Sequence, residues 1–427
     1  MVMRIIVIGL GYVGLPLAVR LADSFETWGI DINAARIADL KRGVDRTGEI
    51  DGDRLAASSL RLSATAADCP AADAYIITVP TPIDAANNPD LGPVISATKM
   101  VATMIDPARR PVIIYESTVY PGVTEEVCGP LIEASGGLIR SRDFVLGYSP
   151  ERINPGDREH TVDRITKVIA GETAEVTEIL AQIYGKVTSG GVFRAASIKT
   201  AEAAKVIENA QRDINIAFMN EVTQIFSRLD ISIWDVLAAA NTKWNFLPFQ
   251  PGLVGGHCIG VDPYYLSHRA QQLGHDPKVI LAGREINDAM GAWVADQIDA
   301  RFGGKNASVL VLGLTFKENV PDLRNSKVVD LIDRLGKLGH DVSVHDPIAE
   351  AGDAAREYGL TLSEGALGQS YDCVIGAVAH SQYRAMGADQ VSALLKSGGL
   401  LADLKHIWPA IADDPHWRKT GKRYWSL

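Results

Sequence analysis

The chain has 427 residues, 47% of them apolar, with a formal net charge of −10, enough for two to three domains around substantial cores. The acidic balance excludes a nucleic-acid coat or a polybasic membrane anchor, so an anionic small ligand must be met by locally gathered cations. Cys69, Cys128, Cys258 and Cys373 are widely spaced with no C-x-x-C pair, so neither disulfides nor a metal site is expected and a reducing cytoplasm is the default.

Ile5 to Val19 is apolar enough to imitate a signal-peptide core, but it carries three glycines at motif spacing and leads into a second strand-like run. No run reaches about 18 uninterrupted apolar residues, so no membrane span is expected. From residue 1 to about 190, short apolar runs alternate with helical patterns: Arg4 to Ile8, Phe25 to Asp31, Ala74 to Val79, Val112 to Glu116, Phe144 to Tyr148 and Lys167 to Ala170. This rhythm predicts a parallel sheet with crossover helices. Between Val192 and Leu247 neither Gly nor Pro occurs in 56 residues, which predicts a helical centre. Within it Ile207, Ala210, Ile214, Ala217, Phe218, Val222, Ile225 and Phe226 recur at steps of three and four, the stripe of one long helix. After a Gly/Pro-rich stretch (Pro248 to Gly260) and more helix to about Phe302, strands are expected at Val309 to Leu312, Asp341 to His345, Cys373 to Val378 and Leu400 to Leu404. The fold class is therefore α/β, with two Rossmann-like, doubly wound parallel-sheet domains joined by a long central helix. Ile6-Val7-Ile8-Gly9-Leu10 and Leu310-Val311-Leu312-Gly313-Leu314 resemble each other and hint at a duplicated architecture.

Gly9-Leu10-Gly11-Tyr12-Val13-Gly14 is G-x-G-x-x-G between an apolar strand and an apolar-periodic helix. Gly9 allows the tight turn, Gly11 lets backbone approach a pyrophosphate, and Gly14 lets helix and strand pack closely. Asp31 stands 17 residues past Gly14, where an acid accepts from ribose hydroxyls and favours NAD over NADP. Arg36 either covers the adenine edge or is a solvated helix residue. Cys258 differs from the other cysteines because it sits in the glycine-dense loop Gly252 to Pro263, with Asp262 four residues on as a proton acceptor or water orienter. A dehydrogenase with a nucleophilic cysteine can carry an alcohol past the aldehyde, since a thiohemiacetal can lose a second hydride and become a thioester. Lys205 and Asn209 are four apart on one helix face; either they form a solvated face, or Lys205 stabilises developing oxyanion charge beside Asn209. Glu116-Ser117-Thr118 and Ser149-Pro150-Glu151-Arg152 end strands; either they are caps, or they stand where doubly wound sheets gather ligands.

Together with Val79-Pro80-Thr81-Pro82 and Gly313-Leu314-Thr315-Phe316-Lys317, these motifs resemble, over essentially the full length, the UDP-glucose/GDP-mannose dehydrogenase family. The resemblance implies an NAD domain at 1–196, a helical domain with the cysteine loop that supports a homodimer or higher homo-oligomer at 197–302, and a UDP-sugar domain at 303–427. It implies two rounds of NAD reduction, with Cys258 as nucleophile, Lys205 as oxyanion stabiliser, Asn209 and Thr118 positioning water or substrate, Asp262 as proton acceptor or water orienter, and Glu151 as base in thioester hydrolysis. For NAD it carries Gly9, Gly11, Tyr12, Val13, Gly14, Asp31, Arg36, Thr81, Ser117, Thr118 and Arg324. For substrate it carries Glu151, Lys205, Asn209, Phe249, Gly252, Gly255, Gly256, Phe316 and Lys317. The glucose-type branch has a lysine before the aspartate of the cysteine loop, whereas this chain has Val261-Asp262. That loop, with Asp45-Arg46-Thr47 and the run Tyr148 to Gly156, resembles instead the Vi-antigen-type branch, which oxidises UDP-N-acetylhexosamines to uronic acids for surface polysaccharides. Gly48 takes the place of a bulkier residue there. The alternatives are a UDP-glucose 6-dehydrogenase, a two-domain hydroxyacid dehydrogenase, which would need neither Cys258 nor a second sheet, and a catalytically silent NAD-binding scaffold.

Overall fold

The computed structural model describes residues 3–84, 86–152, 159, 161–256 and 258–427. Ile153 to Gly156 of the strand-end signature, and His257 of the cysteine loop, lie outside them. The chain forms two compact units, Met1–Asn209 with Tyr264–Asp276, and Ala210–Pro263 with Pro277–Leu427.

The first unit is built on β1 (Arg4–Ile8), β2 (Glu26–Ile30), β3 (Arg61–Ser63), β4 (Ala74–Ile77), β5 (Val112–Tyr115), β6 (Val145–Tyr148), β7 (Lys167–Gly171) and β8 (Val192–Arg194), in the order β3-β2-β1-β4-β5-β6-β7-β8. Strands β4, β5 and β6 are buried at every residue, as continuous Val/Ile/Tyr runs require when both sheet faces are covered. The order reverses between β1 and β4, which places the switch point of the sheet at the carboxyl ends of these two strands. One pair departs from the parallel expectation: β6 and β7 are antiparallel, with Gly147 opposite Gly171 and Tyr148 opposite Ala170.

The second unit holds an all-parallel sheet of β9 (Ser308–Leu312), β10 (Asp341–His345), β11 (Tyr371–Gly376), β12 (Leu395–Asp403) and β13 (Arg423–Ser426), in the order β10-β9-β11-β12-β13. Met290, Val294 and Ile298 of the helix Lys278–Phe302 share its core with Val309, Val311, Leu331 and Leu335. The two sheets repeat one turn in hydrogen-bonding detail. Gly9 (φ +93°) donates to Ile30 O at 2.8 Å and Leu10 N–H to Asp31 Oδ2 at 2.9 Å; Gly313 (φ +99°) donates to His345 O at 2.8 Å and Leu314 N–H to Asp346 Oδ2 at 2.6 Å.

Two expectations need correction. The stretch from Val192 is not helical throughout, because Val192–Arg194 forms the edge strand β8 behind Gly190 and Gly191, and the 30-residue helix begins at Ile198 and ends at Ser227. Its apolar stripe is also broader than the face this chain buries. Ala210 and Ala217 are buried, while Ile207, Phe218 and Ile225 are 53%, 56% and 49% exposed.

Candidate active site

At the switch point the three glycines serve different ends. A Cβ on Gly14 would lie 1.8 Å from Gly9 O, and one on Gly9, whose φ is +93°, 3.2 Å from Thr78 O, so the chain's own packing demands glycine at both. At Gly11 a Cβ would meet no protein atom within 4 Å, so the chain's own packing does not demand glycine there. The helix Gly14–Leu21 opens at Val13 without a side-chain cap, its first N–H groups beside the turn that includes Tyr12, the arrangement that receives a pyrophosphate. Asp31 accepts from Leu10 N–H on Oδ2 and Asn33 N–H on Oδ1, each at 2.9 Å. An ionised carboxylate has about four acceptor positions, so both oxygens keep capacity for ribose hydroxyls. These features fit NAD.

Arg36 is not a solvated helix residue: its side chain is 10% exposed. Nε and Nη2 donate to Leu10 O at 3.0 and 2.9 Å, and Nη2 pairs with Asp45 at 2.7 Å. Asp31 and Arg36 thus hold the backbone N–H and C=O of one residue, Leu10. Asp45 also accepts from Thr47 and from the N–H groups of Glu49 and Ile50, bonds that together hold its pKa below the usual carboxylate value despite burial. This accounts for the Asp45-Arg46-Thr47 motif: it seats Arg36, while Arg46 pairs with Asp39 at 2.6 Å. Gly48 closes the turn at φ +70°, a conformation that explains glycine there. Thr78, which the sequence reading passed over, donates to Gly9 O at 2.7 Å.

Next along the strand ends, Ser117 Oγ donates to Val79 O at 2.6 Å, pinning the β5 loop to the segment that leads into Thr81; Thr118 follows, half-buried. Pro82 O accepts from Tyr265 at 3.1 Å. Beside them Glu116 is fully buried, accepting from Lys167 Nζ at 2.9 Å and from the Tyr184 hydroxyl. Lys167 Nζ lies 3.9 Å from Glu151 Oε2. Lys205 is buried and Asn209 half-buried on the 30-residue helix. One turn before Lys205, Glu202 accepts from Gly122 N–H at 2.6 Å and Thr124 N–H at 2.9 Å. Burial pushes its carboxyl up to about 7, against the lowering pull of those N–H groups.

The cysteine loop belongs to the second unit. Asn220 clamps Gly252 (φ +152°), accepting from its N–H at 2.8 Å and donating to its O at 3.0 Å, and itself donates to Asn287. A Cβ on Gly255 would fall 2.5 Å from Asn325 O, and one on Gly256 (φ +85°) 2.7 Å from the Phe316 ring. The glycines therefore seat the loop against Phe316. Cys258 O accepts from Asp262 N–H at 2.9 Å as the loop turns into the helix Asp262–Gln272. Cys258 is half-buried and Asp262 buried. Among the other cysteines, burial pushes Cys69 up to about 11 and Cys128 to about 12, and Cys373 higher still, so none of these is a ready thiolate. Phe316 and Lys317 are half-buried on a loop whose base is fixed by Asp346, which accepts from Leu314 and Thr315 N–H and from His380. Phe249 is half-buried, and Arg324 rests on Asp322 at 2.7 Å. The expected catalytic residues thus divide: Thr118, Glu151, Lys205 and Asn209 in the first unit, Cys258 and Asp262 in the second.

Three segments match the UDP-glucose/GDP-mannose dehydrogenase family: its NAD binding domain at residues 3–188, its central domain at 199–289 and its UDP binding domain at 310–410. The chain belongs to this family. It is an NAD-dependent oxidoreductase. It is 49% identical over 411 residues to the UDP-N-acetyl-D-glucosamine 6-dehydrogenase of Pseudomonas aeruginosa, covering 95% of this chain and 97% of that one. It is 50% identical over 409 residues to protein CapL of Staphylococcus aureus, covering 95% and 96%. The solved UDP-D-ManNAc dehydrogenase of Pyrococcus horikoshii superposes with a TM-score of 0.87 at 27% identity, covering 100% of this chain and 99% of that one. Among the described residues no helix is long and apolar enough to cross a membrane.

Two glycine variants separate packing from ligand approach. Gly14→Ala should destabilise the protein by about 2 kcal/mol or more through overpacking. Gly11→Ala should leave stability within about 0.5 kcal/mol yet weaken NAD binding by ~10-fold or more; thermal melts and calorimetric NAD titration check both. For Glu202, the folded state holds a proton between its ordinary value of 4.5 and about 7 that the unfolded state has released. Stability from this group therefore falls as pH rises through that window. Relative to wild type, Glu202→Gln should gain in Tm between pH 5 and 8; a pH-independent Tm difference contradicts the assignment.

Proposed function

We propose that this chain oxidises carbon 6 of a UDP-N-acetylhexosamine, UDP-GlcNAc or UDP-GalNAc, through the aldehyde to the uronic acid, in cytoplasmic supply of surface polysaccharide precursors. The reading is carried by near-half identity over the full length to a UDP-N-acetyl-D-glucosamine 6-dehydrogenase. Val261 before Asp262, where the glucose-type branch has lysine, supports the same substrate class.

In this reading Gly9, Gly11, Tyr12, Val13, Gly14, Asp31, Arg36, Thr81, Ser117, Thr118 and Arg324 hold NAD, which when bound accepts the hydride of each oxidation. Phe249, Gly252, Gly255, Gly256, Phe316 and Lys317 hold the nucleotide sugar. Carbon 6 loses its hydroxyl proton and a hydride, and Cys258 Sγ adds to the resulting aldehyde as a thiohemiacetal. Lys205 stabilises the oxygen charge, with Asn209 and Thr118 positioning that oxygen or the water. Loss of a second hydride and a proton leaves a thioester on Cys258. Water then attacks the carbonyl, Glu151 takes its proton, Asp262 orients the water or accepts a proton, and the C–S bond breaks to free the uronate and the Cys258 thiol. The domains at 1–196, 197–302 and 303–427 divide these tasks. The half-exposed Ile207, Phe218 and Ile225, all on the helix Ile198–Ser227, support a helix face that pairs with a second copy, because exposed apolar surface can mark association.

With excess NAD, two NADH should form per UDP-N-acetylhexosamine, with little turnover of UDP-glucose or GDP-mannose. Cys258→Ser should still bind both ligands but release no acid. One NADH per sugar, or near-normal uronate from the serine variant, contradicts the covalent route. Ligand binding without NADH would favour the silent scaffold.

A further inference from the structure

Lys167 belongs to the part of the carboxyl-end cluster, with Glu116 and Tyr184, that the mechanism leaves unused. Its side chain is fully buried, a placement lysine adopts almost only when paired. Its partner Glu116 is fully buried too, while Glu151 keeps 10% of its side-chain surface. The ammonium also lies 5.1 Å from the centre of the Tyr184 ring, whose hydroxyl donates to the far oxygen of Glu116. Glu116 stands just past β5, Glu151 just past β6, Lys167 at the start of β7, and Tyr184 on the helix Ala174–Val187.

Topology explains how a lysine comes to sit there. In a parallel sheet the first residue of a strand lies at the edge remote from ligands, and only a reversed strand begins at the carboxyl edge. The strand β7 is reversed, and β8 runs parallel to it. The register of β7 against β6, Tyr148 opposite Ala170, carried three residues further sets Glu151 opposite Lys167, and the two side chains meet at 3.9 Å.

We infer that Lys167 is a positioning residue for thioester hydrolysis: held by Glu116 and Tyr184, it fixes the carboxylate of Glu151 and keeps it available as the base. The inference rests on the reading of Glu151 given above. Its energetic logic is that two carboxylates at this depth need a shared cation, since removing one member of a buried ionic group leaves uncompensated charge. Lys167 does nothing in the two oxidations themselves, so its loss should be felt after them.

The test is pre-steady-state and steady-state NADH formation from UDP-N-acetylglucosamine with full-length Lys167→Met, Lys167→Arg and the double variant Glu116→Gln/Lys167→Met. The double variant removes one charge of each sign and guards against misfolding of the single one. Lys167→Met and the double variant should retain a burst approaching two NADH per subunit. Their kcat should fall by ~30-fold, within the range that loss of base catalysis spans, with KM changed less than ~3-fold. An acyl adduct on Cys258 should accumulate in intact-mass spectra, and Lys167→Arg should recover much of the turnover. A folded double variant with wild-type kcat, or one whose burst and steady state fall together, overturns the inference while leaving the proposed function standing. A wild-type enzyme yielding one NADH per sugar overturns both.

Discussion

A carboxylate that accepts the first N–H after a strand-ending glycine is the contact on which both sheets depend. In the first unit Asp31 takes Leu10 N–H, and in the second Asp346 takes Leu314 N–H. Each bond ties the end of one strand to the turn leaving its neighbour, fixing the turn where the ligand arrives. The aspartates differ in what they have left to give. Asp346 accepts from Leu314, Thr315, His380, Ile348 and Ala349, which holds its pKa far below the usual carboxylate range and exhausts its acceptor positions. Asp31 accepts from two N–H groups alone among the described residues. One turn is therefore open to a ribose and the other sealed, so the same architecture can serve two different ligands.

A second constraint is charge in the dry rim of the first sheet. Apolar strands cannot by themselves present ionised groups at their ends, because a buried charge must be compensated. The reversed strand β7 delivers Lys167 to Glu116 and Glu151, and the helix through Lys205 is tied to the loop after Thr118 by Glu202. In the cysteine loop, glycine is required mainly by protein neighbours, Asn325 and Phe316, and Asn220 fixes the peptide at its start.

Much of this was legible in the sequence. Continuous apolar strands announced the sheets because burial on both faces favours Val, Ile, Leu and Tyr; the three-residue strands β3 and β8 and the edge strand β13 carried too little pattern, with Arg61, Phe193 and Arg423 facing solvent. The G-x-G-x-x-G turn and Asp31 were readable since their spacing is local. Lys167, Tyr184, Asn220 and Thr78 were not, as their partners lie tens of residues away and neither spacing nor composition reports an antiparallel register. The Asp45 loop was visible as a motif, but its seating of Arg36 emerges only in three dimensions. The duplicated turn showed in five residues; its shared hydrogen bonds supply what those five could not.

The most direct test of this account is calorimetric titration of the wild-type protein and Asp31→Ala with NAD and, separately, with UDP. The open turn of the first unit and the sealed turn of the second predict that Asp31→Ala weakens NAD binding by ~10-fold or more, the loss of about 1.4 kcal/mol or greater, while UDP binds with unchanged affinity and stoichiometry. Unchanged NAD affinity in a variant that still binds UDP would contradict it.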